Sequence, residues 1–280
     1  MSLVLVTGAA GNVASRLVRR LVARSVPVRA FVRKGETAPK GAEAFEGDLA
    51  DRERVRAAVK GVSKVYLLTA GTDVAALEAN VIDAAAAEGV MHIVKHSVQG
   101  AEYEGAIIPK VHRAGEKKIE ATKMAWTFLR PASFASNALG WIGMLKGGDN
   151  VYGPFGEASL PVIDPEDIAA VAEKVLTEDG HASKAYTLTG PETLTTAEQV
   201  AIVGKALGRN LTYVNVPDDA AQKGMVDMGM PAAQADVMID LVKLLRGLGR
   251  IEPTKTVAEL LGRPATSFTA WAESNAAAFK

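Results

Sequence analysis

The chain has 280 residues, with 32 Lys+Arg against 32 Asp+Glu, no cysteine and 48% hydrophobic residues. Balanced charge argues against a phosphate-neutralising nucleic-acid groove or a polybasic membrane patch, and the missing cysteines exclude disulfides, thiolate nucleophiles and zinc–cysteine or iron–sulfur sites. The apolar runs are broken by Gly, Pro or Arg well before the ~20 residues a membrane span needs, so the expectation is a cytoplasmic protein of one or two domains with neither nucleic-acid nor membrane partners.

Residues 3–6 form a short aliphatic run, followed by Gly8 and Gly11 and then by Val13, Leu17, Leu21 and Val22 at helical spacing. That order reads as strand, tight turn, helix. The alternation continues with a strand at 28–32, a helix from Asp51 to about residue 60, a strand at 64–69 and an Ala-rich helix at 74–88 ended by Gly89. A strand at 92–96, a helix over about 111–123 and a strand at 126–129 stopped by Arg130-Pro131 follow. Apolar strands alternating with helices predict an α/β fold, a doubly wound parallel sheet of Rossmann type. Beyond Pro131 the texture changes, as Gly140, Gly143, Gly147, Gly148, Gly153 and Gly156 crowd together with Phe134, Trp141, Tyr152 and Phe155. This predicts a loop-rich cleft wall. A helix at 164–176, a strand at 185–188, a Thr195/Glu198 capping box opening a helix closed by Gly208, a strand at 213–216, helices around 222–247 and a terminal helix from about Ser267 complete the pattern. The expected division is a dinucleotide-binding core at 1–131, with strands near 160–190 returning to it, and a smaller C-terminal α+β substrate lobe at 132–280.

Gly8 and Gly11 stand between the first strand and the first helix, where missing side chains let a pyrophosphate approach the amides of a helix N-terminus. Ala14 takes the third small position. The next strand ends in Val32-Arg33-Lys34, and cations there accommodate a 2′-phosphate, whereas a carboxylate would hold a free 2′-hydroxyl. NADP(H) is therefore the expected cofactor.

The segment from Thr7 to Ala14, Val32-Arg33, Gly47-Asp48-Leu49, and Thr127-Phe128-Leu129-Arg130-Pro131 together resemble the NmrA-like atypical short-chain dehydrogenases/reductases. Val162-Ile163-Asp164, Asp167-Ile168-Ala169, the run from Leu188 to Glu192, Gly262-Arg263-Pro264 and Ser267-Phe268 extend that resemblance over nearly the whole chain. Ile107-Ile108-Pro109, and the spacing from His112 through Glu116 to Arg130, are most similar to the triphenylmethane reductase branch, whose relatives include NADPH-dependent quinone reductases. The resemblance implies that Gly8, Gly11, Asn12 and Val13 cradle the pyrophosphate, that Arg33 and Lys34 hold the 2′-phosphate, and that Asp48 and Leu49 meet the adenine. It further implies that Thr69, Ala70 and Gly71 line the adenosine and ribose, and that Pro131, Ala132, Ser133 and Phe134 pass beside the nicotinamide.

The usual short-chain dehydrogenase carries a Tyr-x-x-x-Lys pair. Here the lysine position falls on His112, and Ile108 stands four residues before it. Ketone reduction, which must protonate an alkoxide, is disfavoured by that loss, whereas hydride delivery to a cationic or conjugated electrophile needs little acid help. His112 and Glu116 lie i,i+4 on one helix, so the carboxylate is expected to orient the ring; these two are the catalytic candidates. Lys95, His96 and Ser97 close the fifth strand at the sheet edge where ligands of open α/β folds bind, and strand alternation sends Lys95 and His96 to opposite faces. His96 and Ser97 are the cofactor candidates of that group, while Lys95 is expected in solvent. Phe134, Trp141, Met144 and Phe155 are the candidate wall of an apolar acceptor pocket. No metal site is expected. The reading is an NADPH-dependent reductase of a small apolar acceptor such as a quinone or triarylmethane dye; the same residues also fit a catalytically silent NADP(H) sensor acting through a protein partner. A homodimer is left open.

Overall fold

The computed structural model describes every residue except Met1, Ala70, Thr72, Glu104 and Lys280. In chain order the elements begin with β1 (Val4–Val6), α1 (Asn12–Ala23), β2 (Val28–Val32), β3 (Glu43–Glu46), α2 (Arg52–Val59), β4 (Lys64–Leu67), α3 (Val74–Ala87), β5 (His92–His96), α4 (Ile107–Glu120) and β6 (Ala125–Pro131). They continue with β7 (Ser133–Phe134), a 3₁₀ turn (Ala135–Trp141), α5 (Ile142–Leu145), β8 (Asn150–Gly153), β9 (Ser159–Ile163), α6 (Pro165–Thr177), β10 (Lys184–Leu188) and β11 (Thr193–Thr195). The remainder is α7 (Thr196–Leu207), β12 (Thr212–Asn215), α8 (Asp218–Asp227), α9 (Ala232–Leu248), α10 (Thr256–Leu261), α11 (Phe268–Asn275) and a final 3₁₀ turn (Ala276–Phe279).

The chain divides into two compact units: Met1–Glu102 with Pro109–Pro131 and Pro165–Thr187, and Tyr103–Ile108 with Ala132–Asp164 and Leu188–Lys280. The first is built on a seven-stranded sheet of order β10-β6-β5-β4-β1-β2-β3. β1 pairs in parallel with both β2 and β4, so strand order reverses at β1, the switch point at which open α/β sheets bind ligands. Strand alternation sends Leu5, Val65, Leu67, Ile93 and Phe128 to one face, where they bury against Val55 of α2, Val81 and Ile82 of α3 and Ile119 of α4. Tyr66 and Val94 take the other face. Lys64 on that side donates to the Leu176 carbonyl of α6 at 2.6 Å, and α6 holds α1 through Glu166–Arg20 at 2.8 Å and Glu173–Arg24 at 3.1 Å. Asp51 caps α2 by accepting from the Arg54 amide.

The second unit carries a three-stranded sheet, β11-β9-β7, and a parallel pair, β12-β8, over a core that includes Val162, Val200, Val203, Phe268 and Trp271. The Thr195/Glu198 capping box opens α7, and Gly208, at φ +66°, closes it. Three expectations are corrected. Of the strands near 160–190, β10 joins the main sheet but β9 pairs with β7 and β11 instead. The glycine-rich stretch after Pro131 is also less irregular than its composition suggests, since Ala135, Ala138, Leu145 and Val151 are buried in the second core and order β7, α5 and β8 around it. Helix α4 begins at Ile107, four residues before the expected start. α8 has no buried residue; its start is tied to α9 by a two-pronged Arg246–Asp218 pair at 2.8 Å, while Val226 and Met228 at its far end are exposed.

Candidate active site

The glycine loop lies on the β1–α1 junction. Gly8 adopts φ +61°, a conformation L side chains rarely take, and an added Cβ there would stand 3.0 Å from the Leu68 side chain. Gly11 caps α1 in extended geometry with no side-chain cap bond, its amide donating to the Gly8 carbonyl at 2.8 Å. The loop is fastened from below by the Thr7 hydroxyl, which donates to the Leu68 carbonyl at 2.7 Å and accepts from the Leu68 amide at 2.8 Å. Gly11 and Asn12 are exposed and Val13 is buried, so the first-turn amides of α1, which a helix cannot bond internally, open beside bare glycine backbone. The α1 first turn carries no acidic residue to oppose an anion.

Arg33 and Lys34 follow β2 and are exposed. The Arg33 guanidinium is engaged by a neighbour, donating from Nε to Glu36 Oε1 at 2.9 Å while Glu36 Oε2 accepts from the Arg33 amide at 2.9 Å. These bonds hold the Glu36 carboxyl below its ordinary range. Asp48 makes a local turn, its side chain accepting from the Ala50 amide at 2.9 Å, and Leu49 is half-buried against the core. At the end of β4, Thr69 and Gly71 are described while Ala70 lies outside the described residues.

Where β4, β5 and β6 end, the same unit buries a polar cluster. Lys95 is fully buried rather than solvated, on the α3/α4 face of β5, and its ammonium donates to Oε1 of the equally buried Glu78 of α3. The Lys95 Nζ also lies 3.3 Å from His112 Nδ1, and Thr69 donates to Glu78 Oε1 at 3.1 Å. Glu78 Oε2 is buried with no partner. The pair forms only because position 115 of α4 has no side chain: a Cβ there would overlap Glu78 Oε2 and stand 3.1 Å from Lys95 Cε. Burial pushes Glu78 up and Lys95 down, each toward its neutral form. His112 is half-buried, and burial followed by the Lys95 charge holds its ring down at about 3. If the Lys95 ammonium donates to Nδ1, the proton of the neutral ring is left on Nε2.

Glu116 does not orient His112, contrary to the i,i+4 expectation. It is fully buried and turned toward the sheet, accepting from Ser97 at 2.7 Å, from Arg130 at 2.9 and 2.7 Å, and from Arg113 at 3.0 Å. Arg130 also pairs with Glu102. The i,i+4 spacing placed both side chains on neighbouring turns, but buried arginine and serine donors outcompete a neutral imidazole for a carboxylate. His96, on the opposite face from Lys95, is buried with Nδ1 2.7 Å from the Tyr66 hydroxyl, and burial holds its ring at about 3. Pro131 ends β6 in this unit.

Ala132, Ser133 and Phe134 belong to the second unit, where the Ala132 amide donates to the Leu188 carbonyl at 2.9 Å. That unit has a pocket of ≈ 140 Å³ lined by Trp141 and Phe155 together with Ser133, Tyr152, Gln199 and Tyr213. Of the four expected wall residues, Phe134 and Met144 do not line it; Met144 packs against the core and accepts from the Tyr152 amide at 3.3 Å. Glu78, Gly115, Glu36 and Tyr213 were given no site role by the sequence, and Lys95, expected in solvent, is instead buried in the cluster. The available signal for Glu78 was its place on the apolar stripe with Val81 and Ile82, and for Lys95 its place in register with Ile93. Among the described residues no group of three or more His, Asp or Glu could hold a metal ion, and no helix is long and apolar enough to cross a membrane.

A family model described as the NmrA-like family matches residues 1–271. An NAD(P)H azoreductase of Xenophilus azovorans is 35% identical over 283 residues, covering 99% of both chains. A (4-alkanoyl-5-oxo-2,5-dihydrofuran-3-yl)methyl phosphate reductase of Streptomyces griseus is 35% identical over 282 residues, again covering 99% of both. Among solved structures, an NADPH-dependent quinone oxidoreductase from Escherichia coli complexed with NADPH superposes with TM-score 0.85 at 25% identity over 97% of this chain and 99% of that one. A triphenylmethane reductase from Citrobacter superposes with TM-score 0.84 at 24% identity over 98% of this chain and all of its own, a likeness of fold.

Proposed function

The chain belongs to the NmrA-like family, and from that premise we propose that it is an NADPH-dependent reductase that delivers hydride to an apolar conjugated or cationic acceptor, such as a quinone or a triarylmethane dye. The observation that carries the reading is the bare helix N-terminus at Gly8–Gly11 with Arg33 and Lys34 exposed at the end of the adjacent strand, which fits a dinucleotide bearing an extra phosphate. In this reading the amides of Gly11, Asn12 and Val13 hold the pyrophosphate, Arg33 and Lys34 the 2′-phosphate, and Asp48 and Leu49 the adenine. Thr69, Gly71, His96, Ser97, Pro131, Ala132, Ser133 and Phe134 serve by resemblance at the ribose and nicotinamide. The hydroxyls of Thr69 and Ser97 are committed to Glu78 and Glu116, so these two contribute backbone.

The bound cofactor supplies the hydride. His112 presents a neutral ring whose Nε2–H is a hydrogen-bond donor, suited to hold a ribose hydroxyl or a carbonyl oxygen. Trp141 and Phe155 are the apolar surface proposed for acceptor binding. The test is NADPH oxidation by the purified protein with benzoquinones, triarylmethane dyes and simple ketones. Turnover of the first two classes is expected; turnover of ketones alone would overturn the acceptor assignment. Silence across all three, with NADPH demonstrably bound, would favour the sensor over the enzyme.

A further inference from the structure

The fully buried Lys95–Glu78 pair is an expensive feature for a structural role. Removing two charges from water is repaid only when the remaining polar atoms find partners, yet Oε2 of Glu78 has none, and α4 gives up a side chain at Gly115 to admit it. The pair's lead toward the surface is the 3.3 Å contact from Lys95 Nζ to His112 Nδ1. The charged and titratable groups around it are Glu78 from α3, His96 on the same strand, Glu116 and Arg113 from α4, and Arg130 from β6. The last three are knotted together around Glu116, leaving Lys95 as the cation that faces His112.

We propose that Lys95, held by Glu78, is a positioning residue and proton reservoir behind His112, which equips the site to reduce quinones and conjugated carbonyls, acceptors that become oxyanions, rather than cationic dyes alone. The proposal rests on the reductase reading above and narrows its acceptor class. On a quinone or conjugated carbonyl, hydride supplied by a bound nicotinamide would form a C–H bond at the conjugated carbon and leave the displaced π electrons as an enolate on the carbonyl oxygen; for a quinone, tautomerisation of the adduct then moves a ring C–H proton to the second oxygen with no net proton consumed. The His112 Nε2–H bond breaks as the product O–H bond forms. The Lys95 Nζ–H bond breaks as the Nδ1–H bond forms, leaving a neutral amine beside the Glu78 carboxylate. Water returns one proton through Nε2 after the product leaves. A quinone thus consumes NADPH and one proton, whereas a cationic dye consumes NADPH and no proton. A phenolate-like oxyanion with an ordinary value near ~10 is basic enough to take a proton from an ammonium whose own value burial has lowered.

The experiment uses Lys95→Met and the neutral pair Lys95→Met/Glu78→Gln, the second because a lone buried Glu78 endangers the single variant's fold. Benzoquinone and a triarylmethane dye are compared at saturating NADPH, with cofactor affinity measured by calorimetry. The ratio of quinone to dye kcat/KM should fall about 100-fold, within the range of a general-acid contribution; an equal fall for both acceptors would overturn the relay and leave the reductase reading standing. The second readout is imidazole nitrogen NMR of His112. In the wild type the ring should be the Nε2–H tautomer and stay neutral at pH 5, and in the neutral-pair variant it should become a tautomer mixture titrating nearer the ordinary imidazole value. A wild-type ring that is mainly Nδ1–H, or that titrates normally, refutes the coupling even if neither acceptor is turned over.

Discussion

Replacing Gly115 by alanine probes the buried pair with a single methyl group. In an unencumbered helix interior the change gains ~1 kcal/mol, because glycine is the weaker helix former. Here the new Cβ would overlap Glu78 Oε2 and stand 3.1 Å from Lys95 Cε. If the side chains yield while staying paired, overpacking costs ~1–3 kcal/mol. If Glu78 is pushed off Lys95, the broken buried pair costs ~3–5 kcal/mol. Both partners are fully buried and the clash is with the carboxylate itself, so the second case applies, and after the helix gain the net loss is ~2–4 kcal/mol. At ~2–4 °C per kcal/mol for a protein of this size, the melting temperature of the first unit falls by roughly 4–16 °C. Scanning calorimetry gives the shift, and hydrogen exchange at the β5 amides assigns it to this unit. A double-mutant cycle with Glu78→Ala sharpens it, since the cost of the added methyl at position 115 should vanish once the carboxylate is gone. A Gly115→Ala protein stabilised by ~1 kcal/mol would show that the methyl meets no obstacle and that the pair is not packed against α4.

Arg33→Ala should erase most of a preference for NADPH over NADH, one charge-assisted bond being ~1.5–3 kcal/mol, and Glu36→Gln should strengthen NADPH binding by freeing the Arg33 fork; calorimetry with both cofactors decides, and unchanged affinities in both variants would place the 2′-phosphate elsewhere. Gly11→Val should abolish cofactor binding in a folded protein, because even a Cβ there stands 3.0 Å from the Gly8 carbonyl and the branched side chain would project over the helix N-terminus; a folded variant binding NADPH normally would contradict it. Acid should destabilise the fold steeply. His92, His96 and His112 sit at about 4, 3 and 3 in the folded protein, against ~6.5 in an unfolded chain, so between those values the unfolded chain binds protons the fold does not, and stability is lost as pH drops below ~6.5 and on toward ~3. Glu78 and Glu116, raised by burial, act in the opposite sense and offset part of this loss. A melting temperature flat between pH 7 and 4.5 would show that the three rings are not buried neutral.

The alternation of strands and helices was legible because the central strands of the main sheet are buried on both faces and read as continuous apolar runs, and because Gly8 and Gly11 fall on the first junction. The second unit was less so. Its short strands β7, β8 and β11 owe their order to packing on residues distant in the chain, such as Phe268 and Trp271, which no local window contains. In the candidate site, His112 was found by position and its partner was not. Residues i and i+4 are the natural pair to read on one helix, but Glu116 is claimed by Ser97 and Arg130, and the group that meets His112 comes from β5. A lysine within a strand reads as a charge seeking water; only the carboxylate of Glu78, on a helix packed over that strand, makes its burial tolerable.

The weak attachment of α8 sets where the protein gives way first. None of its residues is buried, and its polar ties to α9 include the Asp218–Arg246 fork near its start and a contact from Gln222 to Asp236 one turn on. Opening it exposes little new apolar surface, so its free energy of local unfolding lies at the low end of the range within one structure. Among the amides bonded within the helix, exchange should therefore be faster at Met228 than at Ala221, whose turn carries the fork, and should accelerate with added salt as the fork is screened. A segment that opens without disturbing any core can also change in sequence without loss of the fold, which makes α8 the part of the second unit freest to vary.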